Sequence, residues 1–183
     1  SPAEFLKGVV LDLSGTPDLG KPAPSIETCI SKNRGSVLFC IEPVVWPEIL
    51  RPHFKVNTYM YGGTKSIVRY DSGKATFVHV LFPAASFQAV LDHFKQRFGP
   101  PTEEQELWLT SLSSPARSNP MAAWWSIDGD AVTSLQIRNY DDTRGGFPDM
   151  EYGAISLHIQ GAKPIFPLLS TANLMLLKFK RFP

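Results

Sequence analysis

The chain has no unbroken apolar run near the roughly 18 to 20 residues that a membrane-spanning helix needs. Its most apolar stretch, Leu174-Met175-Leu176-Leu177, is closed off by Lys178, Lys180 and Arg181. Charge is scarce as well: 19% of the 183 residues are Asp, Glu, Lys or Arg, and the formal net charge is +1. That balance supplies no general attraction for nucleic acid or an anionic membrane, so nucleic acid is not expected among the partners. The familiar catalytic signatures are missing too, with no G-x-S-x-G, S-x-x-K, H-E-x-x-H or phosphate-loop pattern. Gly62-Gly63-Thr64-Lys65-Ser66 holds phosphate-loop ingredients in the wrong order and reads as a two-glycine hairpin turn. His53, His79, His93 and His158 stand far apart, which excludes paired ligand spacing. No metal and no cofactor are expected.

Cysteine is reduced to two residues, Cys29 and Cys40, at a spacing that suits neither a metal site nor a C-x-x-C redox pair. They are either two separate buried thiols or a local disulfide. The disulfide, together with 16 prolines and low charge, points to an oxidising compartment, periplasmic or extracellular. Under that reading a signal segment or anchor precedes the sequence given. Residues 1–5 read as a cloning scar.

What is present is enough for a core. Hydrophobic residues make up 43% of the chain, so it is globular. The turn residues Gly15, Pro17, Gly20, Pro22 and Pro24 make residues 1–24 an extended lead-in. Residues 25–183 then read as a single α+β domain.

Its expected architecture is an antiparallel sheet, or sheets, of about six to eight strands built from hairpins. A short N-terminal helix is expected over 25–34, with Ser25 at its start and Gly35 beyond its end. The proposed disulfide would pin that helix to the extended run Val37–Ile41. Strands are expected at 54–61, 64–70 and 74–82, the last apolar on both parities and therefore covered on both faces. The clearest element is a long amphipathic helix over 86–99. Phe87, Val90, Leu91, Phe94 and Phe98 form one stripe, and Ser86 and Gly99 suit its ends. A possible edge strand at 107–109 and strands at 121–127, 131–140 and 152–159 follow. The pattern over 171–182 fits a strand or a helix equally. The order of elements hints at two related halves.

One constellation comes from alternation. Odd positions on the last three strands are apolar, among them Trp125, Leu135, Ile137, Ile155 and Leu157. The even positions then share the other face, where Trp124, Gln136, Arg138, Tyr140, Tyr152 and His158 form the candidate ligand- or partner-binding surface. Aromatic and arginine side chains are the types enriched at binding hot spots. This grouping requires an odd number of residues, or a bulge, at Asp128-Gly129-Asp130. A two-residue turn would contradict it.

The sequence is therefore expected to encode a non-catalytic binding or adaptor domain of an exported or cell-envelope protein. Another envelope protein or a small polar ligand is the expected partner. Membrane association is expected only through a preceding segment or through the basic-aromatic tail Lys178-Phe179-Lys180-Arg181-Phe182. The alternatives are a small hydrolase with an unfamiliar active site and a structural accessory domain of a membrane-associated complex.

Overall fold

The computed structural model describes residues 22–23, 29–44, 46–54, 65–111, 114–128, 131–144 and 150–179. Eight antiparallel strands form one sheet: β1 (Cys29–Lys32), β2 (Val37–Pro43), β3 (Lys65–Asp71), β4 (Lys74–Pro83), β5 (Glu103–Ser111), β6 (Ser114–Asp128), β7 (Ala131–Arg138) and β8 (Tyr152–Ile159). Helix α1 (Phe87–Phe98) follows β4, and α2 (Thr171–Phe179) follows β8. The spatial order is β1-β2-β3-β4-β8-β7-β6-β5. Four strands and a helix thus occur twice, and the fourth strand of each half meets that of the other at the sheet centre. The two expected halves are visible in this order.

The N-terminal helix expected over 25–34 is not observed. Its described part is strand β1, followed by a single 3-10 turn at Asn33–Gly35. Residues 25–28 lie outside the described residues, as does most of the expected strand 54–61. The reason lies in the turn. Asn33, Arg34 and Gly35 all take positive φ, which reverses the chain into β2 in place of ending a helix. Cys29 and Cys40 then face each other across the β1–β2 pair and form a disulfide, with Cα atoms 4.3 Å apart. The bridge joins two strands, not a helix and a strand.

Two apolar layers sandwich the sheet. On one face Val78, Val80 and Phe82 of β4, Ile155 and Leu157 of β8 and Leu135 and Ile137 of β7 lie under α1. Helix α1 buries Phe87, Val90, Leu91 and Phe94 of the expected stripe, with Phe98 partly buried against them, and stops at Gly99, whose φ of 79° favours glycine. Ser86 stands at the N-terminus without a side-chain capping bond, because a 3-10 turn, Ala84–Ser86, leads into the helix. The same face covers the disulfide with Trp46 and Phe54, whose rings stack at 3.7 Å.

On the opposite face Phe39, Ile41, Ile67 and Leu81 are covered by Ile165, Phe166, Leu169, Leu174 and Leu177. Both faces of β4 are therefore covered. The C-terminal segment is a helix because Ser170 and Asn173 cap it reciprocally. The Asn173 backbone N–H donates to Ser170 Oγ at 3.1 Å, and the Ser170 N–H donates to Asn173 Oδ1 at 3.0 Å.

One close approach fixes the sheet centre. Phe82 and Gly153 are paired, and a Cβ added to Gly153 would stand 2.3 Å from Phe82 Cζ and 2.7 Å from the Arg138 carbonyl oxygen. Any side chain at 153 would overlap both groups, which is why glycine stands there.

Candidate functional site

Register decides which side chains meet. Asp128 pairs with Ala131, so β6 and β7 are joined with two residues between them, and Trp124 pairs with Leu135. The even positions of β6 therefore share a face with the odd positions of β7. Between β7 and β8, Leu135 pairs with Leu157 and Gln136 with Ser156, so parity is kept.

Trp124 consequently does not join the expected surface. It is 2% exposed, beneath α1, edge-on to Phe94 at 6.1 Å, and its Nε1–H donates to the Gly99 carbonyl at 3.0 Å. The physical reason is the two-residue connection, which inverts every side chain of β6 relative to the expected grouping. Trp125 takes the vacated place at 49% exposure.

On this face, opposite α1, rows of side chains cross the sheet. One row is Trp125, Ser134, His158 and Phe77; the next is Ala123, Gln136, Ser156 and His79; the third includes Met121, Arg138 and Ala154. Of the residues expected from alternation, Gln136, Arg138, Tyr152 and His158 do share a face. Tyr152 is buried there in the layer containing Ile165 and Phe166. Tyr140 lies past the end of β7, where its backbone exchanges hydrogen bonds with the buried Asn119 side chain and Arg117 stands 5.9 Å from its ring.

The half-buried Arg138 donates through Nη1 to both carboxylate oxygens of Asp142, at 2.8 and 2.9 Å. His158 stacks on Phe77 with centroids 4.8 Å apart. Burial pushes its imidazole below the ordinary pKa, and its bond to the Ile159 carbonyl opposes that only in part. Ser134 and Ala123 are buried within the rows, so the accessible part of the surface is Trp125, Gln136, Arg138 and His158, with the partly exposed Ser156 and Phe77 among them.

Beside this surface lies a buried polar knot that alternation did not predict. His79 Nε2 is 3.2 Å from Thr143 Oγ1 and 3.5 Å from Asp141 Oδ1. Thr143 Oγ1 donates to Asp141 Oδ1 at 2.6 Å, and Arg144 Nε donates to Asp141 Oδ2 at 2.6 Å. Burial alone would raise the pKa of Asp141. His79, the Thr143 hydroxyl and Arg144 outweigh it and hold the carboxyl well below the usual range. In a nucleophile–histidine–acid relay the hydroxyl and the carboxylate meet different ring nitrogens. Here both meet Nε2, and the hydroxyl gives its proton to the carboxylate. The knot instead fastens the segment after β7 to the centre of the sheet.

A second knot holds the C-terminal segment. Arg69 is buried, donating to Asp71 through Nε and Nη2 and to the Pro164 carbonyl through Nη1 at 2.6 Å, with Phe39 beneath its guanidinium. Across the sheet, the Tyr70 hydroxyl donates to Glu42 Oε2 at 2.6 Å, and burial together with that carboxylate pushes its pKa far up.

Among the described residues, no three His, Cys, Asp or Glu side chains converge as metal ligands, and no helix is long and apolar enough to cross a membrane. Compared with known proteins, the chain matches no family model, no curated protein and no solved structure.

Proposed function

We propose that this chain is a non-catalytic binding or adaptor module of an exported or cell-envelope protein, and that it engages its partner through the sheet face around Trp125. The observation that carries the reading is the exposed indole of Trp125 on a sheet face that also carries Gln136 in the next row, His158 two strands away and Arg138 two rows along. An exposed tryptophan on a fixed scaffold is costly to leave in water and suits a contact hot spot. Gln136 and His158 supply polar contacts at its flank. Arg138, already oriented by Asp142, can share its remaining donors with a carboxylate or a backbone carbonyl. The partner class is another envelope protein or a small polar ligand.

The compartment is inferred from the Cys29–Cys40 bridge, since disulfides persist where the surroundings are oxidising. The titratable clusters around His79 and Arg69 support a binding role over a hydrolytic one, because their charges are spent on each other in the interior.

The test is affinity capture from the envelope fraction of the source organism, comparing the intact chain with Trp125→Ala and with Ser36→Ala, a distant control. Partners retained by the intact chain and by the control but lost by Trp125→Ala support the reading. Capture of the same set by all three would contradict this site.

A further inference from the structure

We propose that β5 is a docking edge for an extended basic segment of another protein, which adds to the sheet as a ninth strand. This site is separate from the Trp125 face and does not depend on it.

The two edges of the sheet differ. β1 is four residues long and tied to β2 by the disulfide, whereas β5 runs for nine residues without proline or glycine. Among the described residues β5 pairs only with β6, and no described strand faces its outer row of backbone donors and acceptors. Such a row is a template for strand addition.

The side chains on the α1 side of this edge specify an occupant. Glu104, Glu106 and Trp108 alternate along it, opposite Ala122, Pro120 and Ser118. Glu104 is already paired with Lys95 at 2.8 Å, while Glu106 has no cation against it among the described residues. Trp108 is 61% exposed. Between this edge and α1 opens a cleft of about 310 Å³, with Phe87 and Leu91 on its apolar wall and Glu104 and Glu106 at its rim.

A strand laid beside β5 would stand about 4.8 Å away, with its facing side chains about 5 Å from these residues. Its pattern on that side is an apolar residue reaching toward Leu91, a cation against Glu106, and a second cation over the Trp108 ring. The same acidic row opposes self-pairing, because a second copy of β5 would bring carboxylates against carboxylates. The charge thus selects a basic partner and rejects a second copy of the chain.

The test uses a capped ten-residue peptide alternating threonine with valine, lysine and arginine, and a counterpart with glutamate at the basic positions. The basic peptide is expected to bind the intact chain and to slow amide hydrogen exchange along β5. Glu106→Lys and Trp108→Ala should each weaken it at least about tenfold. Both side chains point to solvent, so an unchanged melting temperature will show that the variants are folded. Failure to slow exchange at β5, equal affinity for Glu106→Lys, or equal binding of the glutamate peptide would each overturn the proposal. So would concentration-dependent protection of β5 without peptide, which would make a second copy the occupant.

Discussion

Trp124 and Trp125 are neighbours in the chain and lie on opposite faces of the sheet, one sealed beneath α1 and the other half in water. A pleated strand imposes this on any adjacent pair. The consequence here is that one indole belongs to the core and the other is available for contact.

The pair should separate stability from binding. Trp124→Ala removes a buried ring and its hydrogen bond to the Gly99 carbonyl, so unfolding free energy should fall by about 3–5 kcal/mol. Trp125→Ala should change it by no more than about 0.5 kcal/mol. Urea titrations of the two variants read both values, and equal losses would mean that the assigned faces are wrong.

How much of this arrangement was legible in the sequence depended on whether one parity of a strand was plainly apolar. On β7 and β8, Leu135, Ile137, Ile155 and Leu157 alternate with polar residues, and their common face follows from pattern alone. On β6, Ala122 and Trp124 alternate with Ala123 and Trp125, so either parity could be the buried one. Only the length of the connection to β7 decides, and Gly129-Asp130 is a pair that suits a two-residue connection. That signal outweighed the apparent alternation. Gly35 ends a hairpin turn here, and glycine ends helices equally well, so local sequence does not separate the two. The pattern over 171–182 fits a strand and a helix equally, and what decides for the helix is the capping pair Ser170 and Asn173. The His79–Asp141 knot joins residues 62 positions apart and left no local trace.

Gly153 should resist every substitution. Gly153→Ala brings a methyl group into the Phe82 ring and the Arg138 carbonyl, and overpacking of this kind costs about 1–3 kcal/mol. Adding Phe82→Leu should not restore stability fully, since the backbone oxygen at 2.7 Å remains. Thermal unfolding of the single and double variants checks this.

The disulfide should be intact and local in effect. Thiol titration of unreduced, denatured protein should find no free thiols. Reduction, or Cys29→Ser with Cys40→Ser, should lower stability by up to about 3 kcal/mol, as expected for a short closed loop. Two titratable thiols in the unreduced protein would remove the argument for an oxidising compartment.

Acid should loosen the centre of the sheet. The folded-state pKa of Asp141 is depressed below that of the unfolded chain, so the unfolded chain takes up the proton first as pH falls. The stabilisation from this carboxylate is fully present above about pH 5. It declines as pH drops below about 4 toward the folded-state value. Asp71 is depressed in the same direction by Arg69 and Thr76, whose bonds outweigh its burial, and adds to the slope. Denaturation midpoints followed from pH 6 to pH 2.5 should show a shallower decline for Asp141→Asn than for the parent chain. Parallel curves would mean that Asp141 is not held as described.

The most direct measurement of the central claim is a photocrosslinking residue placed at Gln136, one row from Trp125, in the chain expressed in its source organism. The account predicts one or a few discrete crosslinked species that disappear when Trp125→Ala is added. No crosslink, or the same crosslinks with Trp125→Ala, would contradict a binding role for this face.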